Sequence, residues 1–276
     1  MNEKQLTVIG EAGTPDVGKH SLSSMSPSFT LEGPIARITL RRPRHQNRLE
    51  DEDLGYLLEC FQSINADHSI RILVIDAQVH PERPVFSAGY HIDGFEHNVH
   101  KPSFELVMNE LEALRPVTIC VLNGNLYGGA TDIPLACDLA VAADDVIMVM
   151  PAARLGLHFY PQGLRRYVSR IGLRATKLAF LTAEPLDSGT MLATGYVHKV
   201  IPRAGLTELV DSLVCQIVDL APVTTQLLKK SLNEIAAGSA DGAELTRRAD
   251  SSLSSAEFAE GRAAFVEKRK PTWTQP

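Results

Sequence analysis

Val117–Ala143 reads VTICVLNGNLYGGATDIPLACDLAVAA. Val117–Leu122 is a short apolar run with β-branched residues, the pattern of a buried strand. Asn123-Gly124 breaks it, and Gly128-Gly129 opens a second apolar stretch, Ala130–Ala136, at helical spacing. Asp138–Ala143 returns to strand character. A strand, a glycine-lined turn and a helix start bring unpaired backbone N–H groups and the positive end of a helix dipole to one point. Such a point can hold a phosphate or an oxyanion, although a glycine pair after a strand also serves plain tight packing. Asp132 raises the stakes, as one acid a few residues into a helix on a segment otherwise nearly free of charge. The bland role open to it is a helix-start carboxylate satisfied by nearby N–H groups.

Working outward, the segments upstream alternate. Ile35–Leu40 (IARITL) reads as a strand, Glu50–Ala66 as a helix, Ile70–Asp76 as a strand and Phe104–Leu114 as a helix. Strands alternating with helices over two-thirds of a chain indicate an α/β half with largely parallel pairing. After Pro161 the strand signals nearly vanish. Helical patterns follow at Leu164–Ile171, Arg174–Leu181, Leu206–Leu220, Val223–Ile235 and Ala256–Lys268. Met1–Ser28, rich in Gly, Ser, Thr and Pro, reads as a loosely held arm. No internal repeat is visible in the residues alone.

The 276 residues suffice for a real core in one large domain or two small ones. A net charge of −6, with 44% hydrophobic and 22% charged residues, argues against a broad nucleic-acid-binding surface. Cys60, Cys120, Cys137 and Cys215 have no ligand-like spacing and sit in apolar runs, so they read as reduced, packed thiols. No apolar run reaches membrane-spanning length and the N-terminus lacks a secretory pattern, so the expected location is cytoplasmic.

Three separated motifs carry a resemblance. NGxxxGGxxD followed by CDLxVAAD is the first. VFSAGYHI at Val85–Ile92, which fits F-x-A-G-x-D-[IL], is the second, and the tail EGRAAFVEKRKPTW from Glu260 is the third. Together they resemble the crotonase (enoyl-CoA hydratase/isomerase) superfamily, from about Phe29 to Trp273. The resemblance implies an α/β fold with a ββα spiral core over residues 29–200. It also implies a C-terminal helical trimerisation region over residues 201–276, and a homotrimer or dimer of trimers. No cofactor is implied beyond coenzyme A as part of an acyl-CoA substrate.

Site residues follow from the same resemblance. The oxyanion donors would be the backbone N–H groups of Tyr90 and Gly129, and Ala88 would lie beside the adenine end of the ligand. RRPRHQNRL (41–49) stands where the family has N-R-P-x-x-x-N-A-L, so Arg44 is a candidate contact for coenzyme A phosphates. A solvated basic loop is the alternative for these arginines. Arg48 replaces the family's small residue. His91 stands in place of the family's aspartate and adjoins the oxyanion donor. With Asp93, His97 and His100 it makes a histidine-rich stretch, but the spacing fits no established zinc pattern and no metal is expected. Phe265 and Lys268 match an aromatic and a lysine that approach coenzyme A, often from a neighbouring subunit. An amphipathic terminal helix with a solvated basic end is their plain reading.

Hydratases of the family hold two glutamates beside the oxyanion hole. Asp132 aligns with the first, whereas the second falls at Ala152, in MPAARLGLHFYPQGLRR, where Pro151 is kept and the acid is gone. Adding water in the usual way needs both groups. The segment also resembles a branch that includes short-chain acyl-CoA decarboxylases, with His158, Phe159 and Tyr160 in the turn that faces the acyl pocket. A catalytic role for His158 stands against that of a structural histidine. The implied function is an acyl-CoA lyase of decarboxylase or atypical hydratase type. The rivals are a cofactor-free hydrolase of β-diketones and a non-catalytic oligomeric binding member.

Overall fold

The chain enters as an antiparallel hairpin, β1 (Ser28–Glu32) and β2 (Ile35–Leu40), turned at Gly33. Alternate residues of β2, Ala36, Ile38 and Leu40, point into the core. The computed structural model describes residues 25–91 and 102–274. Helix α1 (Asp51–Ala66) starts on a reciprocal cap between Glu50 and Asp53 and buries Leu54, Leu57, Phe61 and Ile64, a helical stripe. It returns the chain to β3 (Ile72–Ala77), parallel to β2.

From there the chain repeats one movement. A longer strand enters one sheet, a short strand enters a second sheet, and a helix leads on. β3 is followed by β4 (Val85–Ser87) and α2 (Phe104–Ala113), and β5 (Val117–Leu122) by β6 (Asn125–Tyr127) and the one-turn α3 (Ile133–Ala136). β7 (Leu139–Ala143) is followed by β8 (Ile147–Val149) and α4 (Pro161–Thr182). With β9 (Leu186–Asp187), α5 (Ser188–Ala193) and β10 (Lys199–Ile201), the sheets order as β1-β2-β3-β5-β7-β10 and β4-β6-β8-β9. All pairs are parallel except β1/β2 and β8/β9. This is the expected ββα spiral. All six residues of β5 are buried, as a central strand covered on both faces requires.

Helices α6 (Leu206–Val218), α7 (Pro222–Ala237), α8 (Gly242–Leu253) and α9 (Ala256–Glu267) close the chain. Gly172, at φ +76° and ψ 161°, divides α4 between the two helical patterns read there. Helix α8 (GAELTRRADSSL) lies outside the helical patterns read above: it buries none of its residues, and its apolar stripe is the sparse set Leu245, Ala249 and Leu253. The helix expected over Ala130–Ala136 is instead a 3-10 turn, Gly128–Asp132, running into α3. The arm expected over residues 1–28 lies outside the described residues up to position 24; beyond it the Ser26 carbonyl accepts from Arg41 Nε at 2.9 Å and β1 begins at Ser28. Cys60, Cys120 and Cys137 are buried, but Cys215 is exposed, contrary to the reading of four packed thiols. No described helix is long and apolar enough to cross a membrane.

Candidate active site

Two loops are laced together at the ends of β2 and β4. Asn47, at φ 51°, accepts from the Arg42 N–H and donates to the carbonyls of Gln78 and Val85, at 2.7 to 2.9 Å. Arg42 is buried and bidentate to the fully buried Asp53, and Arg48 pairs with Glu50. These two arginines hold the loop together, which leaves Arg44 exposed and without an ion pair among the described residues. The Leu49 N–H donates to the Gly89 carbonyl at 2.9 Å and the His91 N–H to the Leu49 carbonyl at 3.0 Å. In an extended segment successive N–H groups alternate sides, so the Tyr90 N–H faces away from Leu49. Its side chain reaches α1, where the hydroxyl donates to Asp51; burial and that bond push the phenol up to about 12.

The other wall is the glycine turn. Gly89 has φ +86°, and a Cβ there would lie 2.9 Å from the Gly129 nitrogen and 3.1 Å from that of Ala130, so only glycine lets the two segments meet. Gly128 and Gly129 open the 3-10 turn, where N–H groups have no partner within the helix. Two backbone N–H groups on adjoining segments can hold developing negative charge on one oxygen. The turn is clamped from outside. Thr131 Oγ1 donates to the Gly128 carbonyl at 2.6 Å and accepts from the Tyr167 hydroxyl at 2.5 Å, and the Tyr196 hydroxyl donates to the Thr131 carbonyl.

Asp132 is fully buried and its carboxylate is occupied. Arg166, also fully buried, donates from Nε to Oδ1 at 2.9 Å and from Nη2 to Oδ2 at 2.6 Å, and the Tyr160 hydroxyl donates to Oδ2 at 2.5 Å. On its far side Arg166 Nη1 reaches Asn109 Oδ1 at 2.9 Å and Glu112 Oε2 at 3.1 Å. Burial opposes the Arg166 charge, but the Asp132 bonds and charge outweigh it and raise the guanidinium pKa. Burial and Asp132 both drive the Tyr160 phenol far above its ordinary range, so it keeps its proton. Tyr160 stacks on Phe159, with ring centroids 4.2 Å apart, and meets Phe104 edge-on at 6.2 Å. Phe104 in turn packs on Gly129 and lies 6.4 Å from the Tyr90 ring. Gly163 makes room for this wall, since a Cβ there would come within 2.3 Å of Phe159.

Tyr90, Gly129, Asp132, Phe159 and Tyr160 are thus brought together. Ala88 is half-buried beside Gly89, and Ala152 is buried in a 3-10 turn. His91 Nδ1 lies 3.4 Å from Glu50 Oε2. His158 is exposed, with Nδ1 2.8 Å from the Phe159 carbonyl, and no hydrogen bond joins it to the Asp132–Tyr160 pair. Phe265 and Lys268 are exposed at the end of α9. Among the described residues no group of three His, Cys, Asp or Glu could hold a metal; Asp93, His97 and His100 lie outside them. Sequence reasoning missed Arg166, Phe104, Tyr167, Tyr196 and Glu112. A lone acid in an apolar run does signal a buried cation elsewhere, but 27 lysines and arginines leave its identity open.

A two-sheet ββα spiral whose glycine turn meets a second backbone segment is the architecture of one enzyme class. The enoyl-CoA hydratase/isomerase family model matches residues 30–276, and the chain belongs to that family, the crotonase superfamily. It is 28% identical over 276 residues to a probable mitochondrial enoyl-CoA hydratase 2 of Arabidopsis thaliana, covering 97% of this chain and 89% of that protein. To a carnitinyl-CoA dehydratase of Citrobacter koseri it is 27% identical over 263 residues, covering 91% and 98%. A putative enoyl-CoA hydratase/isomerase family protein from Hyphomonas neptunium shares the fold at TM-score 0.82 and 20% identity, over 92% of this chain and 100% of that one. A methylmalonyl-CoA decarboxylase does so at TM-score 0.70 and 22% identity, over 92% and 100%.

Proposed function

We propose that this crotonase-superfamily enzyme binds an acyl-CoA thioester with the carbonyl oxygen between the Tyr90 and Gly129 N–H groups, and that it decarboxylates a malonyl-type thioester. The bond from the α-carbon to the carboxylate breaks, its electron pair moves into the thioester as an enolate, carbon dioxide leaves, and the α-carbon takes one proton. Each oxyanion donor is worth roughly 3–4 kcal/mol in such a step. Departure of carbon dioxide needs no base, so the enzyme need only stabilise and reprotonate the enolate. His91, next along the chain from Tyr90 and held by Glu50, is assigned that proton.

The observation that carries this reading is the state of Asp132. Its oxygens are taken by Arg166 and Tyr160, and Tyr160 is a phenol that keeps its proton, so the pair orients rather than exchanges protons. Ala152 supplies no second acid. A second reading, hydration or dehydration at the β-carbon with Tyr160 orienting the water, is favoured by the names of the relatives at 27–28% identity. Arg44 and Ala88 serve the coenzyme A moiety in both readings. Phe265 and Lys268 join them from a neighbouring chain in a trimer or dimer of trimers, for which the exposed Leu228, Leu232, Ile235, Phe265 and Val266 provide apolar surface.

The test is incubation with methylmalonyl-CoA and, separately, crotonyl-CoA, with mass spectrometry of the products. Loss of carbon dioxide from the first and no added water on the second is the expected result. Efficient hydration of crotonyl-CoA by the unmodified protein would overturn the first reading. A concentration-independent monomer by light scattering would overturn the assembly.

A further inference from the structure

Behind the Asp132–Arg166 pair, between the end of α2, the start of α4 and the length of α7, lies a cavity of about 530 Å³. Phe104, at the oxyanion turn, and Ala113, at the cavity, are nine residues apart on α2, about 13 Å along its axis. Asn109 and Glu112 line the cavity and also hold the far side of Arg166, which therefore separates the cavity from Asp132.

The charges around this cavity do not balance. Arg115, Arg165, Lys229 and Lys230 line it together with two carboxylates, Glu112 and Glu234. Lys229 is neutralised by Asp138 at 2.7 Å, and Glu234 is engaged by Arg248 at 2.6 Å. Glu112 is the acid that remains, and it is already shared among Arg165, Arg166 and Arg170. Arg115 makes no ion pair among the described residues. Its Nη2 donates to the carbonyls of Ile64 and Asp67, while Nε and Nη1 are buried without an acceptor. Burial lowers its pKa below the ordinary arginine value, the signature of a cation short of counter-charge. Lys230 is exposed and also lacks an ion pair among the described residues. Leu114, Leu227 and Ala237 give the lining an apolar part, beside the polar Asn109, Gln226, Asn233 and Ser239.

We infer that this cavity is a second ligand site, distinct from the thioester site, for an organic anion with a carboxylate or phosphate head on a short apolar body. The head sits among Arg115, Arg165 and Lys230, and the body lies on Leu114, Leu227 and Ala237. Charge-assisted hydrogen bonds from a guanidinium suit either head, and the volume lies within the range of small-molecule pockets. The inference does not rest on which reaction the enzyme performs.

Calorimetry on the full chain, with octyl phosphate, octanoate, octanamide and inorganic phosphate in separate titrations, tests it. One of the two amphiphilic anions should bind at one per chain, and which one binds tighter identifies the head. Octanamide and inorganic phosphate should each bind about tenfold or more weaker, the scale of one lost charge-assisted bond or of the lost apolar contact. Lys230→Glu, at an exposed position, should weaken the anion by about tenfold at an unchanged melting temperature, and Arg115→Gln, which also loses bonds to Ile64 and Asp67, should weaken it with a lower one. Saturating acetyl-CoA should leave the stoichiometry unchanged. Absence of anion binding, equal binding of octanamide, an unaffected Lys230→Glu or displacement by acetyl-CoA would each overturn the inference. A protein that binds the anion but no thioester would refute the proposed reaction and leave this site standing.

Discussion

Asp132→Asn removes the counter-charge of a guanidinium that has no exposed surface. Breaking a buried pair by deleting one partner costs roughly 3–5 kcal/mol, because the other charge is left behind. Arg166 keeps Asn109 and a share of Glu112, which argues for the lower end, about 3 kcal/mol. In a chain of 276 residues, with an unfolding entropy of about 2.1 cal/mol/K per residue, that lowers the melting temperature by about 5 °C. The asparagine amide also sets an N–H against donors from Arg166 or Tyr160, so relaxation recovers little. Differential scanning calorimetry of Asp132→Asn, Arg166→Met and the double variant Asp132→Leu/Arg166→Met measures the effect. The double variant should be more stable than either single, since the buried charges leave together. Tyr160→Phe, which loses one hydrogen bond to a charged group, should cost about 2 kcal/mol while lowering turnover. If Asp132→Asn melts with the wild type, Arg166 does not depend on Asp132. The carboxylate would then be free for acid–base work, and its role as a fixed orienting group would fall.

Gly89→Ala places a methyl group 2.9 Å from the Gly129 nitrogen at a φ of +86°, so it should separate the two backbone donors. Turnover should fall by roughly a hundredfold with the circular dichroism spectrum retained; an active variant would deny that the donors act together. Of the four cysteines, Cys215 alone is exposed, and burial pushes the Cys60 thiol up to about 12. A chromogenic disulfide reagent should titrate one thiol quickly in the native protein and four in denaturant, and two fast thiols would contradict the packing. The Arg269 side chain and the Thr272 N–H depress Glu260 from about 4.5 to about 2. A depressed acid stabilises above its unfolded value and loses that contribution as pH falls through its folded value. Fluorescence of Trp273, the single tryptophan, should thus hold steady down to about pH 4.5 and shift red between there and pH 2. A trace unaltered by Glu260→Gln would refute the link.

The order of strands and helices was legible because β2 and α1 are long enough to show a period, and β3 and β5 read as continuous apolar runs. The short strands β4, β6 and β8 were not, at three residues each, so the repeating two-sheet movement was expected from the resemblance and not from the pattern of residues. At the site, Tyr90 as the counterpart of the glycine turn came from the resemblance, whereas the turn at Gly128-Gly129 could be read from local residues. The setting of Asp132 could not: its partners stand 28 and 34 residues away on another element, and an amphipathic helix discloses its buried stripe but not a buried charge within it. The partners of the basic loop were hidden for a related reason. Four arginines close together look alike in sequence, yet Arg42 and Arg48 are tied to carboxylates of α1 and its cap.

The clamp on the glycine turn comes from Tyr167, Tyr196 and Arg166, on α4 and beyond it, whereas residue 152 sits on a separate turn before α4 begins. If that turn holds the thioester oxygen as proposed, these three groups fix it, while the turn of residue 152 itself packs on α4 and is tied to its end by Arg154. Residue 152 makes none of the hydrogen bonds that hold Thr131 and Asp132, so an acid introduced there would add a group to the pocket without removing one of those bonds.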